Sequence, residues 1–242
     1  MSAGLSLVPQ LDHLVIMADT LDAGVAWCQS ALGVTPGPGG EHPLFGTHNR
    51  LLDISSAAHP LAYLEIIAIN PQATPTSATG APPRTRWYDM DQTALRKHVR
   101  CHGPCLTHWV ARVPDTQAAA TALAVQGIDR GDVLAVSRQT PAGLLQWRIT
   151  VRPDGQRLMD GCLPTLIEWG DVHPAQAMPG VGLQLQSLAL RHPRATALHA
   201  ALHAVGMPAI PVHQSERPEL LATLHTPRGE ITLSSISTGA AS

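Results

Sequence analysis

The chain is poor in aromatic residues, charges and cysteines, and each shortage excludes something. Phe, Trp and Tyr make up 3% of its 242 residues, and 14% are charged. With 16 basic against 18 acidic side chains, a net charge of −2 and no Lys/Arg-rich run, it lacks the footprint expected for binding nucleic acid or anionic lipid. The longest apolar stretches, such as Leu61 to Ile69, are strand-sized and carry Glu65, far short of the roughly 20 residues of a membrane helix. Met1 to Gln10 has neither the basic region nor the apolar core of a secretory signal, so the cytoplasm is the default compartment. Cys28, Cys101, Cys105 and Cys162 are too few and too scattered for a disulfide framework, and reduced thiols are expected. No G-x-S-x-G elbow, P-loop or strand-linked G-x-G-x-x-G occurs, which speaks against a Ser-His-Asp hydrolase and a phosphate-cradling loop. What is present is a 44% hydrophobic composition, enough for a packed core in one large domain or two small ones.

One unit recurs three times along the chain. The first copy opens with the strand Leu11 to Met17. A helix follows in which Leu21, Val25, Cys28 and Leu32 share a face, Asp19 or Thr20 caps the start and Gly33 ends it. Beyond the Gly/Pro-rich loop Pro36 to Gly40 come strands at Asn49 to Ile54 and Leu61 to Ile69, giving β-α-β-β-β if Val34 and its neighbours form the second strand. The second copy runs from Leu106 to Trp169, with a helix over Ala118 to Gln126 and strands at Val133 to Ser137, Leu144 to Val151 and Leu163 to Trp169. The proline-rich stretch from Asn70 reads as part of a linker over 70–104. A fainter third copy, within 182–236, has a strand at Leu183 to Leu190, a helix over Pro193 to Val205 and three further strands. The tail Thr238 to Ser242 is expected to be loose. The chain is therefore read as α+β, with a domain at 10–174 made of modules 10–69 and 105–170, and a third related module.

Laid on one another, the first two copies align His13 with His108 and Glu65 with Glu168, whereas the third has Ser187 in place of the histidine. A carboxylate buried among Leu64, Ile66 and Ile67 costs several kcal/mol unless it meets a cation, a metal or good donors. If both copies turn these residues toward one concave surface, His13, Glu65, His108 and Glu168 form a two-imidazole, two-carboxylate site for a divalent ion with room for water. Taken singly, each is more often a core histidine or a solvated edge glutamate. The run Cys101-His102-Gly103-Pro104-Cys105-Leu106-Thr107-His108 is a rival ligand cluster, but it lacks the second, separated ligand pair of a structural zinc site.

The segments Leu11-Asp12-His13-Leu14-Val15, Gly40-Glu41-His42-Pro43 with Gly46-Thr47-His48-Asn49, Tyr63-Leu64-Glu65-Ile66-Ile67, Thr107-His108-Trp109 and Leu166-Ile167-Glu168-Trp169 resemble the glyoxalase-like domain of the vicinal oxygen chelate superfamily. The resemblance covers roughly residues 10 to 174. It implies paired βαβββ modules cupped around a divalent ion (Zn, Ni, Mn, Co or Fe), with His13, Glu65, His108 and Glu168 at the ligand positions. That superfamily includes glyoxalase I, methylmalonyl-CoA epimerase, extradiol dioxygenases and metal-free antibiotic-binding proteins, so the fold alone selects no reaction.

The leading expectation is a metal-dependent lyase or isomerase that moves a proton on a small oxygenated substrate, with Glu168 or Glu65 as the base. The alternatives are a metal-free binding protein of the same fold and an extradiol-type dioxygenase. Strand alternation sends Leu145, Trp147 and Ile149 to the helix side and leaves Gln146 and Arg148 facing the cup, with Arg112 beside His108. Arg148 and Arg112 either hold a substrate carboxylate or phosphate or form structural ion pairs. His42, His48 and Asn49 border the first module, where loops commonly contact substrate. A third module that exposed an open sheet face would favour a homodimer.

Overall fold

The computed structural model describes residues 8–76, 84–140 and 143–235. The sequence expectations for residues 1–7, the linker residues 77–83, residue 236 and the tail fall outside them.

The first module consists of β1 (Gln10–Met17), α1 (Leu21–Trp27), β2 (Glu41–His42), β3 (Thr47–Asp53) and β4 (Tyr63–Ile69). The Thr20 hydroxyl accepts the Ala23 N–H at 3.1 Å and caps α1; a wide turn over Cys28–Leu32 then ends at Gly33, whose φ of 76° suits glycine. No strand forms around Val34. The proline- and glycine-rich loop makes only an isolated bridge between Gly37 and Leu51, and the second strand is the short β2.

The second module repeats the plan with β5 (Cys105–Arg112), α3 (Thr116–Ala124), β6 (Asp132–Thr140), β7 (Gly143–Val151) and β8 (Thr165–Trp169). The two modules join into one eight-stranded mixed sheet of order β2-β3-β4-β1-β5-β8-β7-β6. Within each module the first and last strands run parallel, and the modules meet where β1 pairs antiparallel with β5. This is the expected α+β architecture of paired modules curled into a half-barrel. The 70–104 segment is more than a linker, because it contains α2 (Thr93–His102), whose Leu95 and Val99 are one turn apart and buried under the sheet.

Each face of the sheet builds its own core. On the outer face Leu14, Ile16, Leu64, Ile66, Trp109 and Leu166 pack with the third module. On the inner face Val15, Met17, Ile67, Val110, Ile149 and Ile167 pack with Trp87, Tyr88 and α2. The third module has β9 (Gln184–His192), α4 (Ala195–Ala204), β10 (Val212–Gln214), β11 (Glu219–Thr226) and β12 (Gly229–Ser234), in the sheet order β10-β9-β11-β12. Leu188, Leu190, Leu220 and Leu224 point into the shared core, and the Leu185 N–H donates to the Ile54 carbonyl at 2.8 Å. The opposite face presents Thr223, His225, Glu230, Thr232 and Ser234, with Ser187 exposed on β9. That face is largely polar, with Leu221 half-buried among these residues. Among the described residues no helix is long and apolar enough to cross a membrane.

Candidate functional site

The site is shaped by a local irregularity in β1. Its pairing with β5 shifts register between Leu11 and His13, which lets Leu11 join the outer core while Asp12 and His13 are both buried. Asp12, fully buried, accepts three N–H groups: His13 Nδ1 at 2.7 Å, Trp169 Nε1 at 2.9 Å and His173 Nε2 at 3.0 Å. Burial alone would raise its pKa, but the charges and hydrogen bonds of His173 and His13 outweigh it and hold the carboxyl well below the usual range. His173 takes the Ala175 N–H on Nδ1, which leaves the Nε2 proton for Asp12. Neither Asp12 nor His173 stood out in the sequence; the only available signal was an acid directly before His13, which strict alternation assigns to the opposite face.

With Nδ1 bound to Asp12, His13 turns Nε2 toward Glu65 Oε2, 3.6 Å away on the neighbouring strand β4. The two atoms thus face each other across a gap too long for a hydrogen bond, which a small bound group can bridge. Asn49 on β3 fixes the other carboxylate oxygen, donating from Nδ2 to Glu65 Oε1 at 2.6 Å and accepting the Gly40 N–H on Oδ1 at 2.7 Å. The same Nδ2 lies 3.4 Å from His42 Nε2, and His42 Nδ1 contacts the Thr47 hydroxyl at 3.0 Å. Burial and the nearby Arg138 push the His42 pKa down to about 3, so this imidazole is neutral.

The other residues proposed from sequence separate from this group. His108 is on the inner face, but its Nδ1 is 3.1 Å from the Gly161 carbonyl and its Nε2 accepts the Thr165 N–H at 3.2 Å, so its lone pair is already used. Burial and the positive Arg130 and Arg157 hold its pKa well below the usual imidazole value. Glu168 is on the outer face, where Oε2 accepts the Thr116 N–H at 2.9 Å and hydroxyl at 3.0 Å at the start of α3. This corrects the expected convergence of two carboxylates. The parity of β7 is also reversed: Leu145, Trp147 and Ile149 line the cup, whereas Gln146 and Arg148 face outward and Arg148 pairs with Glu168 at 3.7 Å. The cup is itself apolar along this strand, so apolar residues do not mark the helix side. His48 lies on the outside of β3, in an open cleft with Arg50 and Arg96. Arg112 is buried in the floor, donating to Gln10 Oε1 at 2.5 Å and the Pro60 carbonyl at 3.4 Å, 3.9 Å from Asp12 Oδ2.

Two consequences are measurable. Glu168→Ala removes a helix cap and is expected to cost about 1 kcal/mol, a fall of about 2–4 °C in Tm, read by calorimetry. His42 and His108 are neutral in the fold, whereas an unfolded imidazole protonates near 6.5. The unfolded state then binds more protons, so stability falls as pH drops below about 6.5, by about 2 kcal/mol for each histidine between pH 7 and pH 5. Urea midpoints at the two pH values test this, and His108→Gln should flatten the difference.

The donor set does not fit the metal centre implied by the family resemblance. His13 and Glu65 face each other, His108 is committed to Gly161 and Thr165, and Glu168 is on the other side of the sheet. Among the described residues no group of three or more His, Cys, Asp or Glu has the arrangement of a metal site. The Cys101–His108 cluster disperses too: Cys101 is exposed, Cys105 is buried and His102 bonds the His98 carbonyl within α2. Burial raises the thiol pKa to about 11 for Cys105 and about 12 for Cys28 and Cys162.

Trp87 and Tyr88 line the same cavity as His13 and Glu65. Trp87 stacks on Phe45 at 3.9 Å and on Tyr88 at 4.9 Å, and Tyr88 packs against His108 at 4.9 Å. Tyr88 and Asp89 hold φ values of 58° and 59°, uncommon for side-chain-bearing residues, and Asp89 is fixed there by Arg157 Nε at 2.9 Å. The cavity, of about 40 Å³, is lined by His13, His42, Glu65, Arg138, Trp147 and Trp169, among others. It has room for about one water.

Two cupped βαβββ modules with a polar group on the inner strands define a protein of the vicinal oxygen chelate class. The profile of the glyoxalase-like domain family matches residues 11–206, and the chain belongs to that family. No curated protein matches it. A hypothetical protein from Staphylococcus aureus shares the fold, with TM-score 0.56 and 13% identity over 94% of this chain and 85% of that one. A methylmalonyl-CoA epimerase from Streptomyces coelicolor overlays in part, with TM-score 0.39 and 16% identity over 67% of this chain and 98% of that one. The epimerase from Mycobacterium tuberculosis gives TM-score 0.36 and 20% identity over 68% of this chain and 89% of that one.

Proposed function

We propose that this protein is an enzyme that moves a proton at a carbon next to an oxygenated group of a small molecule, with His13 and Glu65 as the acid–base pair. The observation that carries this reading is the line Asp12–His13–Glu65, in which a buried carboxylate orients an imidazole toward a second carboxylate. Asp12 holds the Nδ1–H tautomer and balances the charge formed when Nε2 takes a proton from carbon. Glu65, steadied by Asn49, then accepts or returns that proton within the same wall. The aromatic lining excludes water, which strengthens these interactions and limits loss of the proton to solvent. No step is assigned to a metal, because the four residues expected to hold one do not form a single donor set.

The test is solvent deuterium incorporation into a panel of small carbon acids (2-oxo acids, 2-hydroxy ketones and their esters), run beside elemental analysis of the purified protein. Exchange into at least one compound, lost in Glu65→Gln without any change in metal content, supports the reading. Exchange that tracks a stoichiometric metal lost from Glu65→Gln overturns the metal-independent form, and no exchange across the panel overturns the proton-transfer reading. A non-catalytic binding role is favoured by one feature, the aromatic lining of the cavity, and would show as saturable binding without exchange.

A further inference from the structure

Arg138 extends from β6, the outermost strand of the second module, across the mouth of the cup to the loop of the first. Strand alternation puts it inward with Leu134 and Val136, and it lines the same cavity as His13 and Glu65. Gly40 receives the guanidinium: a Cβ built on that glycine would lie 1.6 Å from the Arg138 Nη1 position, so any side chain there would expel it. Nη1 is buried without a hydrogen-bond partner among the described residues. No Asp or Glu among them lies within ion-pair distance of Arg138 or of the more deeply buried Arg130, whose Nη2 donates instead to the Thr165 hydroxyl, but of these two only Arg138 lines the cavity of His13 and Glu65. A guanidinium nitrogen that is buried without a partner is unfavourable in a resting protein and is satisfied where an anion arrives.

We propose that Arg138 anchors a carboxylate of the ligand, so that the cup, once Trp87 and Tyr88 swing aside from a cavity that holds about one water as it stands, takes a small carboxylic acid with its reactive carbon toward His13 and Glu65. The charge balance selects the class. One cation faces Glu65 across the cavity, so a monoanion balances Arg138, whereas a phosphate dianion would bring one further negative charge against Glu65. The planar fork of Arg meets the two carboxylate oxygens together, which fixes orientation as well as affinity. The inference rests on reading this cup as the reactive site.

The experiment is tryptophan fluorescence titration, since Trp87, Trp147 and Trp169 line the cavity. The probes are acetate, 2-oxobutanoate and propanoate, with methyl 2-oxobutanoate as the uncharged control. Saturable quenching by at least one acid and not by the ester is expected, with affinity reduced more than about tenfold in Arg138→Gln and partly restored in Arg138→Lys. Gly40→Ala, which displaces the guanidinium without removing it, should weaken the same acid. Equal binding of acid and ester, an unchanged Kd in Arg138→Gln, or no saturable response to any of the three acids overturns the proposal. Arg138-dependent binding without deuterium exchange leaves the anchor standing and removes the proton-transfer reading. Exchange that is indifferent to Arg138 does the reverse.

Discussion

Asp12→Ala is expected to lower stability by about 3–5 kcal/mol, the scale of breaking a buried, hydrogen-bonded charge cluster. For a chain of this size that is about 6–20 °C in Tm. The cause is the number of groups left without an acceptor: His13 Nδ1, Trp169 Nε1 and His173 Nε2 all donate to this carboxylate, and Arg112 lies 3.9 Å away. Combining Asp12→Ala with His173→Ala should cost less than the sum of the two, because the second change removes a stranded donor. The loss should also be the same at pH 7 and pH 5. Asp12 has a folded pKa below its ordinary 3.8, so its contribution is complete above about pH 4 and fades only as the pH falls toward the folded value. Additive losses, or a loss that halves by pH 5, would show that the cluster is not one unit.

His13→Gln and Glu65→Gln are each expected to reduce deuterium exchange by about 10²–10⁴-fold, the usual worth of a positioned acid or base. Both replacements keep most of the side-chain volume, and circular dichroism should show the fold retained. Glu168→Gln is the control: its side chain serves Thr116 and Arg148 on the outer face, so exchange should stay within about twofold of the parent. A Glu168→Gln defect as deep as that of Glu65→Gln would restore the two-module site and remove the arrangement proposed here. A combined His13→Gln, Glu65→Gln variant should be little slower than either alone, because residues that act as a unit are not additive.

The repeat was legible because strand alternation, caps and helix-ending glycines are local signals. Thr20, Gly33 and Asp115 behave as their residue types dictate. The polarity of each strand face was less legible. In module one Glu65 points into the cup, but in module two the matching Glu168 points out, although both interrupt apolar strands. Nothing local distinguishes them; the difference arises from the face each strand turns inward after pairing. Asp12 was hidden by a bulge, which breaks the two-residue period that face assignments use. Arg138 was hidden by its partner, a glycine almost a hundred residues earlier in the chain. Helix α2 escaped notice because the prolines that precede it gave the segment the character of a linker.

His13 and Glu65 project from neighbouring strands of one wall, while Leu145, Trp147, Ile149 and Trp169 of the second module bring neither a carboxylate nor an imidazole to the cavity. A prochiral carbon held between them can lose and regain hydrogen on one side only. Its configuration would then be kept through many exchanges, and the hydrogen could migrate to an adjacent atom along that same side. Inversion needs a proton donor on each side of the carbon, so if His13 and Glu65 act as proposed, the bulge that buries Asp12 beside His13 favours suprafacial transfer by holding the imidazole and the carboxylate in one module.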